Sequence, residues 1–86
     1  MLKVYDGGIY FTLSNMPEGA TISIETECDD DTFTFDTAEY DETYSFWVIP
    51  SNDEGNGNTA LVKVIVKADD EKVAEGYCLR FSYPGA

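Results

Sequence analysis

The sequence predicts an all-β fold: a small antiparallel sandwich of two sheets and about seven strands, with a partly open barrel as the alternative closure. Three observations carry this reading. Apolar residues recur with period two along most of the chain, and no window of eleven residues offers a helical face. Turn-forming clusters such as "DGG", "SNMPEG" and "NDEGNGN" follow one another at short intervals. With no helix to cover a sheet, a second sheet is what remains to bury the apolar side of the first.

Each element has its own signal. Leu2 to Tyr5 and Ile9 to Leu13 flank "DGG", whose glycines suit the positive φ angles of a tight hairpin; Ile9, Phe11 and Leu13 face inward and Tyr10 outward. A longer turn containing Pro17 leads to Ala20 to Cys28, where Ile22, Ile24 and Thr26 point to the core. Thr32 to Asp36 is a short strand with Phe33 and Phe35 on one face. A connection through "DTAEYDE" reaches Thr43 to Ile49, with Tyr44, Phe46 and Val48 as its buried set, Trp47 and Ile49 outward and Pro50 ending the strand. "PSNDEGNGN" reads as a mobile surface loop. The last two strands turn near Asp69 and Asp70, with Val62, Val64 and Val66 facing Val73, Tyr77, Leu79 and Phe81 across the core.

The chain of 86 residues forms a single domain, 1–86. Cys28 and Cys78 bracket Trp47, an order that resembles that of immunoglobulin domains and agrees with an Ig-like general architecture. The resemblance departs at Gly76, where that family places a Tyr two residues before the second Cys. Cys78 falls between Tyr77 and Leu79, which puts it opposite the expected apolar set, so two free thiols and a reducing, cytoplasmic location are expected. The N-terminal stretch lacks a basic segment followed by a long apolar run, and no segment has the length of a membrane span.

Charge is the dominant feature. The formal net charge is −12, and its placement is regional: thirteen acids and no base lie between Lys3 and Lys63, whereas four bases and four acids follow from Lys63 onward. Glu25 and Glu27 share the outward parity of their strand, and Asp29 and Asp31 continue it. Same-face neighbours sit about 6.6 Å apart, so unit charges there repel by roughly 0.6 kcal/mol in water-like surroundings. The segment Glu25 to Phe46 holds nine carboxylates and five aromatic rings.

Several chemistries lack their reagents. The chain has no His, so nucleophilic catalysis of the Ser-His or Cys-His type has no base, and no enzymatic activity is expected. Two Cys without His do not make a zinc site, and neither "CDDDTFTFD" nor "SNDEGNGN" matches the calcium-loop pattern; no metal or cofactor is expected. Direct nucleic-acid binding needs a basic footprint that most of the chain lacks.

Carboxylates interleaved with rings suit a basic protein surface, the charges steering and the rings anchoring. The expected function is therefore a non-catalytic protein-binding domain, of the kind by which small acidic phage proteins inhibit a nucleic-acid-binding protein inside the host cell. The expected contact residues are Glu25, Glu27, Asp29, Asp31, Asp36, Glu39, Asp41, Glu42 and Trp47. The alternative is a structural or adhesive module on a virion or cell surface, whose strand edges serve assembly.

Overall fold

The computed structural model describes residues 2–5 and 8–84. Eight strands occur among them: β1 (Leu2–Tyr5), β2 (Gly8–Phe11), β3 (Ile22–Cys28), β4 (Phe33–Phe35), β5 (Glu39–Asp41), β6 (Phe46–Asp53), β7 (Thr59–Ala68) and β8 (Glu71–Phe81). They form two antiparallel sheets, as the alternation predicts, and the sheets do not close into a barrel. In the first, β1 pairs β2, β2 pairs β6, and β6 also pairs β5 along its N-terminal half and β4 along its C-terminal half. The second has the order β3-β7-β8. The β1–β2 hairpin is observed through its register, Leu2 opposite Phe11 to Tyr5 opposite Gly8; Asp6 and Gly7 of the expected turn lie outside the described residues.

Between the sheets, Ile9, Phe11, Ile49, Val62 and Val64 form the buried centre. Ile24, Cys28, Phe35, Trp47 and Cys78 pack around it. The inward assignments of Ile9, Phe11, Ile24, Phe33, Val62, Val64 and Val66 agree with the alternation. β6 and β8 do not.

On β6 the two alternating sets, Phe46 with Val48 and Trp47 with Ile49, are both apolar, so alternation cannot choose between them. Register does. Ile9 pairs Ile49 and Phe11 pairs Trp47, and residues directly opposite on neighbouring strands share a face. Trp47 and Ile49 therefore join the core, while Phe46 and Val48 face outward beside Tyr10, the reverse of the expectation. Nor does Pro50 end the strand, which runs on to Asp53. Pro50 pairs Gly8, the first residue of β2, where the ladder on that edge stops, and its carbonyl accepts the Asp36 amide at 2.8 Å. The approach at Gly8 is close: a Cβ there would meet the Ile49 carbonyl oxygen at 3.0 Å.

β8 is inverted by the same logic. Val62 pairs Cys78, Val64 pairs Gly76 and Ala60 pairs Arg80, so Cys78, Gly76 and Arg80 face the core. Val73, Tyr77, Leu79 and Phe81, expected inside, are exposed. Val73 is the extra residue of a bulge, since Val66 pairs Ala74 while Lys67 pairs Lys72. The thiols are free as expected, for a different reason. Cys28 and Cys78 both point inward and both pair Val62. They are two strand spacings apart, about 9.6 Å, beyond the roughly 6.8 Å that a disulfide spans between Cα atoms.

The Gly-rich segment after Asp53 is pinned rather than loose. Asn56 Nδ2 and Asn58 Nδ2 donate to Thr32 Oγ1 at 2.9 and 3.1 Å. The Asn56 amide donates to Ser82 Oγ at 3.1 Å, and the Gly57 amide to the Ser82 carbonyl at 2.7 Å. Ser82 in turn donates to Asp53, whose other carboxylate oxygen lies 3.9 Å from the guanidinium of the buried Arg80.

Candidate functional site

The acids expected to act together are divided between opposite sides of the sandwich. Glu25 and Glu27 face outward on β3, as parity predicts, but they are not free charges. On β7, Lys63 stands directly opposite Glu27, and Lys67 lies diagonal to Glu25, which itself pairs Ile65: Lys67 is ion-paired with Glu25, and Lys63 lies 4.0 Å from Glu27 and 3.0 Å from Glu75. Lys72 adds a contact to Glu75 at 2.7 Å. The hydrogen bond from Lys63 to Glu75 and that from Lys67 to Glu25 raise both ammonium pKa values, and Lys72 and then Lys63 hold the Glu75 carboxyl below its usual range. This side is a ladder of matched charges.

Asp29 and Asp31 occupy the β3–β4 connection, where with Glu54 they border a recess of about 610 Å³. Between them, Asp30 is a structural residue. The Thr32 hydroxyl and amide hold its carboxyl below the usual carboxylate range, with Asn58 assisting. Among the described residues no group of three or more acids, Cys or His could hold a metal ion.

The remaining acids gather with rings on the outer face of the first sheet. Glu39 pairs Val48 and Asp41 pairs Phe46, which places both carboxylates on the face that carries Tyr10. Asp36 follows the buried Phe33 and the partly buried Phe35 at outward parity. The turn after β5 is built by Asp41, whose Oδ1 accepts the Thr43 and Tyr44 amides at 2.9 and 3.1 Å. Ser45, at φ 56°, completes the reversal, and Tyr44 stands out at 75% exposure with Glu42 beside it. The rings form a continuous run: Tyr10 to Phe46 with centroids 5.1 Å apart, then Phe46 to Tyr44 edge-on at 6.0 Å.

Trp47 is not part of that run. It faces inward against the core, its ring 5.5 Å from that of the half-exposed Tyr40 and inclined to it by 60°. Sequence reasoning thus selected Asp36, Glu39, Asp41 and Glu42 but assigned the outward ring role to Trp47 in place of Phe46 and Tyr44. The signal that corrects it is cross-strand register, which a single sequence does not display.

The arrangement places carboxylates beside an aromatic strip on one face of the first sheet. The chain matches no known protein family, and no curated protein or solved structure shows significant similarity to it.

Proposed function

We propose that the chain is a non-catalytic protein-binding domain whose acidic, aromatic-bearing face, the outer face of the first sheet around β5 and β6, engages a basic protein surface. The observation that carries this reading is the ring run Tyr10, Phe46, Tyr44 bordered by Asp36, Glu39, Asp41 and Glu42. Aromatic rings supply buried contact area, and rim charges govern the rate and salt sensitivity of encounter. Of the lysines whose side chains are described, Lys63, Lys67 and Lys72 are engaged with glutamates on the opposite side. A domain that covers a basic groove also keeps nucleic acid out of it, so the reading extends to inhibition of a nucleic-acid-binding protein.

The test is capture of partners from a cell extract at low salt, followed by association kinetics with whichever basic protein is retained. Replacing Glu39 and Glu42 by Gln should slow association severalfold, with a lesser change in dissociation. Replacing Tyr44 by Ala should mainly speed dissociation. Retention of no basic protein, or equal kinetics for the Gln variant, contradicts the proposal.

A further inference from the structure

β8 turns the wrong side to the core by the ordinary rule of burial. Its inward face carries Ala74, Gly76, Cys78 and the buried Arg80, while Leu79 is 64% exposed, Tyr77 55% and Phe81 39%. Leu61, opposite Leu79 on β7, is 57% exposed, and Tyr83 stacks edge-on against Phe81 at 4.8 Å. We infer that this outer face of β7 and β8 is a self-association surface, and that its occupant is the same face of a second copy of this chain.

Leu61, Tyr77, Leu79, Phe81 and Tyr83 are each more than a third exposed and adjoin one another along β7, β8 and the residues after it, and an exposed apolar cluster of this extent marks an interaction surface.

Charge favours a second copy over another class of partner. The chain as a whole is strongly acidic, but this face carries Glu25, Glu27 and Glu75 against Lys63, Lys67 and Lys72. Two such faces meet without net repulsion. In a two-fold arrangement the same patch serves on both sides, and its lysines and glutamates are equal in number. β1 of the first sheet runs beside β8, so on that side of the sheet the contact uses the face of the strand and not its edge. The inference is independent of the basic-partner reading, which concerns the opposite side of the sandwich.

Sedimentation equilibrium of the full chain, from micromolar to millimolar concentration in moderate salt, tests it. The expected result is a monomer–dimer equilibrium that the double substitution Leu61→Ser, Leu79→Ser weakens at least tenfold and that Tyr44→Ser, on the other sheet, leaves unchanged. Far-ultraviolet circular dichroism of the double variant should match that of the parent. A chain that stays monomeric throughout, a double variant that associates as well as the parent, or a double variant that loses its native fold, which would place the two leucines in the core, each overturns the inference.

Discussion

Thr32 shows how single residues hold the fold together. Its hydroxyl donates to Asp30 and accepts from both Asn56 and Asn58, which uses its one proton and both lone pairs at a position only 6% exposed. Replacement by Val keeps the shape and strands these partners, so Thr32→Val should lower stability by about 1–3 kcal/mol in urea unfolding. The sequence shows Thr32 only as the start of a strand, because a node joining residues 24 and 26 positions apart leaves no local pattern. Cys78 makes the second case. Burial raises its thiol pKa above the ordinary 9.0, with Arg80 opposing and Cys28 adding to the shift. A raised folded value contributes stability that is present below the unfolded pKa and lost as pH rises through the folded one. A thiol reagent should therefore label Cys78 more slowly in the native protein than in denaturant, where the burial that raises its pKa is lost.

At the scale of elements, what could be read from the sequence depended on whether one alternating set was clearly more apolar than the other. β2, β3 and β7 had such a set, and their inward residues are those expected. β6 had two apolar sets, and on β8 the apolar set faces solvent, so both strands were set by their neighbours' register instead. β5 escaped notice because three residues of "EYD" carry no alternation; pairing with β6 makes them a strand. The β7–β8 hairpin was legible in its turn as well: Asp69 and Asp70 both hold positive φ, 49° and 68°, as a two-residue type I′ turn requires. Asp69 is further occupied, accepting the Thr21 amide at 2.9 Å and donating its own amide to the Thr21 carbonyl. Asp70 has no such constraint on its conformation, and Asp70→Gly should raise stability by about 0.5–1 kcal/mol in thermal or urea unfolding, since glycine adopts that backbone without the L-residue penalty.

For the whole molecule, the sequence located the charge excess but could not say which acids were spent. Glu25 and Glu27 are answered by Lys67 and Lys63, while Asp30 and Asp41 hold turns. What is left uncompensated repels, so the melting temperature should rise as sodium chloride is raised from a few millimolar toward physiological strength, where screening shortens the range of repulsion to about 8 Å. Of the acids expected to act together, Asp36, Glu39, Asp41 and Glu42 share the outer side of the first sheet while Glu25, Glu27, Asp29 and Asp31 lie elsewhere, and the ring was misassigned because a ring's direction depends on register. The central claim is that the strip formed by Tyr10, Phe46 and Tyr44 with Glu39, Asp41 and Glu42 is the surface that meets a basic partner. The most direct measurement is an amide NMR titration of the labelled domain with an arginine-rich peptide at low salt. The account predicts saturable shifts concentrated on β5, the turn after it and the start of β6, abolished by the Glu39→Gln, Glu42→Gln variant. Shifts centred on Glu25 and Glu27, or spread evenly over every exposed acid without saturation, would contradict it.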